Sequence, residues 1–116
     1  MNRRHIGSTY EETAAGYLQK QGYRILERNY RNRFGEIDLI AMDGDYLVFV
    51  EVKYRSTSGC GLPLEAVDHK KQKKILSVAR YYMLTHGYPE NVNCRFDVVS
   101  IMGNEISLIS NAFGES

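Results

Sequence analysis

The chain has 116 residues, 43% of them hydrophobic and none in a low-complexity tract, which fits one compact domain, residues 1–116, burying roughly two-thirds of its unfolded surface around one core and one site. Cys60 and Cys94 have no Cys or His at a ligand spacing, which speaks against a zinc site or disulfide framework; with no signal-peptide stretch and no window near the ~20 apolar residues of a span, a cytoplasmic protein with reduced thiols and no membrane partner is expected. The net charge of +1 conceals a segregation: residues 1–34 carry seven Lys/Arg against three acids, residues 53–74 six against two, and residues 35–52 five acids and no base, which suits polyanion binding around a cation site, or solvated faces that cluster by sign.

Ser8-Thr9-Tyr10-Glu11-Glu12 offers a capping box in two registers, Ser8 with Glu11 or Thr9 with Glu12, so the first helix is expected to open there and stop at Gly22. Tyr10, Ala14, Tyr17 and Leu18 form its apolar stripe. Glu11 lies three, four and seven residues before Ala14, Ala15 and Leu18; it projects toward the edge of that stripe, where a partly buried carboxylate needs a partner. YRILERNY, FGEIDLIAM and DYLVFVEVKY then read as three strands rich in β-branched and aromatic residues. RNRF joins the first two. Asp43-Gly44 predicts a type I′ turn between the second and third, with positive φ at both central positions, and hence antiparallel neighbours. The Gly- and Ser-rich STSGCGLP precedes a helix from about Glu65 to His86, ended by Gly87 and Pro89, with Ile75, Val78, Ala79, Tyr82 and Met83 on its buried side. CRFDVVSI and EISLIS, parted by Gly103-Asn104, complete the chain as a second hairpin. The order α-β-β-β-α-β-β predicts an α/β fold, a mixed sheet with helices packed on it.

The first hairpin serves as a ruler. With Asp43-Gly44 as its loop, paired residue numbers sum to 87, setting Asp38 across from Phe49 and Glu36 across from Glu51. Glu36, Asp38, Phe49, Glu51 and Lys53 then share one face, and Ile37, Leu39, Val48, Val50 and Val52 the other. A slip of one residue would part Asp38 from Glu51.

Charge repulsion makes that face informative. Two carboxylates about 4.5 Å apart repel by roughly 3 to 4 kcal/mol at an effective dielectric near 20, and Lys53 alone cannot neutralise Asp38, Glu51, Glu36 and Glu11. Three outcomes are open. A carboxyl stays protonated with a raised pKa; or Glu36 and Glu11 find bases such as Arg31 or Arg33; or a divalent cation takes the site, where carboxylate oxygens favour Mg²⁺ or Mn²⁺. The structural alternative is an ordinary ion pair of Lys53 with Glu51 or Asp38 on the sheet surface.

Asp38, twelve intervening residues and Glu51-Val52-Lys53 resemble the core motif of the PD-(D/E)xK nuclease superfamily. More closely, the chain resembles the YraN-like family of small bacterial proteins, regarded as predicted endonucleases related to Holliday junction resolvases. The resemblance runs through Glu11, Ala14 and Tyr17-Leu18, Gly22-Tyr23, Arg28-Asn29, GEIDLI at 35–40, LVFVEVKYR at 47–55, Ala66-Val67-Asp68 with Lys71, and RFDVV at 95–99. It implies a restriction-endonuclease-like αβββαβ core with an extra C-terminal strand. It further implies that Asp38, Glu51 and the Val52 carbonyl bind the metal, that Glu11 brings an additional acid to it, and that Lys53 positions or activates the attacking water. Ile37 stands where the superfamily name has proline. Tyr10 stands where YraN-like sequences often have glycine, which bears on how the helix approaches its neighbours.

His69 to Lys74 places four lysines near the start of the long helix, where the macrodipole disfavours cations by about a few tenths of a kcal/mol. A bound phosphate would offset that; a solvated face is the alternative. Lys71 and Lys74 are expected to approach the site, and Arg55 to clamp a phosphate from the strand that carries Lys53. Glu36 is expected to hold the hairpin through an arginine. Tyr54 and Tyr30, at strand ends, suit base stacking or rim packing. Asp43 and Asp45 belong to the turn, and His5, His69 and His86 to the surface. The leading expectation is a Mg²⁺- or Mn²⁺-dependent endonuclease acting on DNA, branched or damaged DNA in particular. Nucleic acid is the expected partner, DNA ahead of RNA, and a homodimer is allowed. The alternatives are a non-catalytic nucleic-acid-binding or partner-binding module on a nuclease fold, and a plain structural protein.

Overall fold

The computed structural model describes residues 3–55 and 69–113, and side chains within 10–54 and 69–113. In chain order its elements are α1 (Arg3–Lys20), β1 (Arg24–Asn32), β2 (Gly35–Asp43), β3 (Tyr46–Arg55), α2 (His69–Thr85), β4 (Cys94–Met102) and β5 (Glu105–Phe113). The strands form one sheet of order β1-β2-β3-β4-β5. Neighbours are antiparallel except β3 and β4, which run parallel. The exception explains α2: an antiparallel neighbour needs only a turn, whereas a parallel one needs a crossover. This is the expected mixed α/β sheet, compatible with a restriction-endonuclease-like core plus a C-terminal strand.

The helices cover opposite faces. On one, Ala14, Ala15 and Leu18 of α1 pack with Leu39, Ala41, Val48 and Val50. On the other, Ile75, Val78, Ala79 and Tyr82 of α2 pack with Ile37, Ile40, Leu47 and Phe49. Central strands buried on both faces read as nearly continuous apolar runs, and each buried Val, Leu, Ile or Phe is worth about 1.5–3 kcal/mol. Any polar group inside them stands out.

Four expectations need correction. First, α1 opens at Arg3, so Ser8 and Thr9 lie within the helix rather than at its start; a capping signal is local and is overridden where the preceding residues continue the helix. Its end is as expected, with Tyr23 N–H bonding the Leu18 carbonyl and Gly22 N–H that of Gln19, both at 3.0 Å. The start expected for the long helix, from Glu65, lies outside the described residues.

Second, the first hairpin turns one residue later than Asp43-Gly44. Asp43 pairs with Tyr46 and the ladder runs back to Leu39 with Val50, so Gly44-Asp45 is the loop. Gly44 takes a φ of 60° and Asp45 stays out of the left-handed region, the signs of a type II′ turn with glycine first. That turn spares both aspartates a positive φ. The register moves by two residues, so the faces keep their parity but the partners change. Continued past Leu39, it brings Glu51, not Phe49, opposite Asp38.

Third, Ile37 and Leu39 do not share a face: Ile37 joins the core under α2 and Leu39 the core under α1. The same exchange occurs in β1, where Arg28 reaches Glu12 of α1 at 3.1 Å while Tyr30 packs edge-on against Tyr82 of α2. Between them Asn29 has a φ of 52°. A left-handed residue interrupts strand alternation, which then resumes on the other face. Fourth, the β1–β2 connection is shorter than RNRF, since Asn32 already pairs with Gly35.

Candidate functional site

The site forms where β2 changes faces and departs from β3. In a continued ladder the Val52 N–H would go to the Ile37 carbonyl; it donates instead to Asp38 Oδ2 at 2.8 Å. A residue's N–H and C=O point toward the same antiparallel neighbour, so the Val52 carbonyl faces the same gap. Glu51, 5% exposed, is buried beside Asp38. Together with the first turns of α2 the two strands enclose a cleft of about 390 Å³, lined by Glu36, Asp38, Glu51, Val52, Lys71 and Lys74 among others.

Its electrostatics follow from burying acids side by side. Burial, a hydrogen bond with Asp38 and the Asp38 charge push the Glu51 carboxyl up to about 9, against the pull of Lys71 and Lys53. In the metal-free protein Glu51 is therefore neutral near pH 7. Lys71 Nζ lies 4.0 Å from Glu51 Oε2. Lys53 is lowered by burial, then by its hydrogen bond with Lys71 and the Lys71 charge. Burial opposes the charge on Lys71 too, but the bond with Lys53 and the charges of Glu51, Asp38 and Glu36 raise it overall. An ammonium has no acceptor, so of this pair Lys53 gives up its proton first.

Glu11 approaches from α1. One of its oxygens, Oε2, is buried without a hydrogen-bond partner among the described residues. Its carboxyl is raised by burial, then by the charges of Asp38 and Glu36, with Arg31 opposing. Glu36 pairs with Arg31 at 3.0 Å, both largely exposed, as a residue holding the β1–β2 hairpin would.

These groups fit a hard divalent cation in kind: two carboxylates and a backbone carbonyl at one gap, with an orphaned carboxylate oxygen on the neighbouring helix. Among the described residues, however, no three His, Cys, Asp or Glu side chains are gathered closely enough for a ready-made cage. Such a donor set would leave several positions to water.

Most of the candidates meet in this cleft. Asp38, Glu51, Val52, Lys71 and Lys74 line it, and Lys53 and Glu11 act on its charges. The side chain of Arg55 and the segment Ala66-Val67-Asp68 lie outside the described residues. Tyr10 makes an aromatic stack on Tyr54, centroids 3.9 Å apart, pinning α1 to the end of β3.

A second polar cluster is structural. Asp97, fully buried, accepts the Tyr23 hydroxyl at 2.8 Å, Arg95 Nε at 3.1 Å and the Asn111 N–H at 2.8 Å. Arg95 also donates to Asp43 at 2.6 Å. Its sequence signal was an acid flanked by apolar residues in RFDVV.

The fold and cleft define a mixed α/β protein that carries paired carboxylates and lysines at the split end of a hairpin. The chain belongs to the uncharacterised protein family UPF0102, whose sequence model matches residues 10–101. It is 53% identical over 113 residues to a UPF0102 protein of Lachnoclostridium phytofermentans, covering 97% of this chain and 96% of that one. A UPF0102 protein of Fusobacterium nucleatum is 47% identical over 111 residues, with 96% and 92% covered. One from Persephonella marina is 48% identical over 107 residues, with 92% and 91% covered.

Proposed function

We propose that the protein hydrolyses phosphodiester bonds in nucleic acid, DNA before RNA, with a Mg²⁺ or Mn²⁺ ion, as a member of the PD-(D/E)xK nuclease superfamily. The observation that carries this reading is the meeting of Asp38 and Glu51 at the end of the β2–β3 ladder, beside Lys53 and Lys71. Asp38, Glu51 and the Val52 carbonyl would hold the ion, with Glu11 next to them. When bound, the ion would supply positive charge to a phosphate oxygen and acidify water. Lys53, the lysine that loses its proton more readily, would take a proton from the attacking water. Lys71 retains its charge and meets the charge that develops on the phosphate, while Lys74, further along the same helix face, draws in the flanking backbone.

The test is a nicking assay on labelled DNA and RNA with Mg²⁺ and with Mn²⁺. Cleavage that disappears in Asp38→Ala, Glu51→Ala and Lys53→Ala, with the fold retained, supports the reading. It fails if no nucleic acid is cut with any divalent ion, or if cutting survives Asp38→Ala.

A second reading is a binding module that does not turn over. It is favoured by the partners the carboxylates already have, Val52 N–H on Asp38 and Lys71 near Glu51. It predicts binding that strengthens as salt falls, through counterion release, and no products.

A further inference from the structure

We infer that Phe34, in the β1–β2 turn, and Tyr54, near the end of β3, exposed rings beside the cleft, are stacking platforms for the bases of a single-stranded stretch bound across it. This builds on the proposed nucleic-acid function and adds the conformation of the bound strand and the residues that select it. Phe34 immediately precedes Gly35 and Glu36, and Tyr54 follows Val52 by two residues; Gly35, Glu36 and Val52 all line the cleft. Phe34 is 47% exposed and Tyr54 42%, and neither ring joins the packed cores on the two faces of the sheet. Tyr30 shows the contrast: its ring is taken up against Tyr82, centroids 5.0 Å apart.

Both exposed rings are also held in place. Tyr54 lies on Tyr10 with the planes 18° apart. Phe34 meets the edge of Tyr81 at 5.6 Å, and the Arg33 guanidinium lies over it, 5.6 Å from the centroid. A ring already oriented loses little freedom when a base stacks on it, and an adjacent guanidinium adds cation–π attraction and a phosphate contact. Lys71 and Lys74 supply positive charge in the cleft itself, which suits the phosphates of a strand that crosses it. In a continuous duplex each base is stacked between its own neighbours, and the rings find no open face; in a single strand every base has one.

The experiment follows fluorescence of a single-stranded DNA of about 12 nucleotides carrying 2-aminopurine, and of the same sequence as a duplex, with full-length protein in chelator so that cutting plays no part. The expected result is quenching on binding and a single strand bound more tightly than the duplex at equal salt. Phe34→Leu and Tyr54→Leu keep apolar bulk without a flat face. Each should weaken single-strand binding about fivefold or more, change duplex binding less than about twofold, and stay folded by circular dichroism at the assay temperature, while Tyr54→Phe restores binding. A duplex bound as tightly as the single strand overturns the inference. So do both leucine variants binding the single strand like the wild type, which would assign the rings to a different partner, such as a protein. Stacking without cleavage in Mg²⁺ or Mn²⁺ sinks the nuclease reading and keeps this one; Asp38-dependent duplex cleavage indifferent to both rings does the reverse.

Discussion

Asn29 and Asp38 stand opposite each other across the β1–β2 ladder, between the pairs Arg28 with Leu39 and Tyr30 with Ile37, and at this point both strands exchange faces. Asn29 supports the exchange with its φ of 52°; Asp38, across from it, turns its carboxylate to the Val52 N–H. Asn29→Gly should keep the site, because glycine enters the left-handed region freely. Asn29→Val should cost about 1–3 kcal/mol and displace Asp38. Thermal melts with and without Mg²⁺ check this: the valine variant should lose melting temperature and any metal-induced rise together. A valine variant as stable and as metal-responsive as the wild type would detach Asn29 from the site.

Asp38 has a structural and an electrostatic role that one substitution separates. Asp38→Asn keeps an oxygen to accept the Val52 N–H, now 2.8 Å from Oδ2, and removes the charge that helps raise Glu51. Stability should hold or rise by up to about 1 kcal/mol, while cleavage falls about a hundredfold or more. Denaturant melts alongside the nicking assay decide it. A large loss of stability would mean that the charge itself holds the hairpin open.

Why was so much of this cleft legible in the sequence, and what was not? Acids in strands otherwise apolar are a strong signal, and any register differing by two residues keeps Asp38, Glu51 and Lys53 together in parity, so the error in the turn did little harm. The face of Ile37 was another matter. Strict alternation placed it with Leu39, and the left-handed residue that breaks alternation, Asn29, is on a different strand. Nor does a one-dimensional pattern show that the Asp38 side chain replaces a ladder carbonyl. RFDVV shows an acid among apolar residues but not what it binds, because Tyr23, Asp43 and Asn111 are brought in by other elements.

The Glu51 carboxyl gives the metal-free protein a pH dependence of definite sign. In the unfolded chain it ionises near its ordinary value of 4.5, whereas in the folded cleft it stays protonated up to about 9. Across that window the native state binds more protons than the unfolded one, so stability falls as pH rises. The contribution is fully present below the unfolded value and gone above the folded one. Glu51→Gln, neutral throughout, removes it. With chelator present, the wild-type melting temperature minus that of Glu51→Gln should therefore decline from pH 5 to pH 9, by the equivalent of about one to a few kcal/mol. A flat or rising difference would show that Glu51 ionises in the folded cleft at ordinary pH. Saturating Mg²⁺, if it binds here, should reverse the slope, since it requires the ionised form.

The Asp97 cluster should govern stability and leave the cleft alone. Asp97 is fully buried and takes bonds from Tyr23, Arg95 and Asn111, and Arg95, at 15% side-chain exposure, has Asp43 as its remaining carboxylate. Asp97→Ala takes the acceptor from Tyr23, Arg95, Ser110 and the Asn111 N–H and leaves the guanidinium under-compensated in a poorly hydrated place, a loss of about 3–5 kcal/mol. Asp97→Asn keeps an acceptor for the Asn111 N–H and should cost less. Asp43→Asn, at the exposed end, should cost about 1 kcal/mol or less. Because Arg95 bonds both carboxylates, the double variant should differ from the sum of the single ones. Urea melts of the four proteins measure all of this. Nucleic-acid binding at a temperature where each variant remains folded should match the wild type. An Asp97→Ala protein that melts like the wild type, or one that stays folded but no longer binds, would contradict the separation of the two sites.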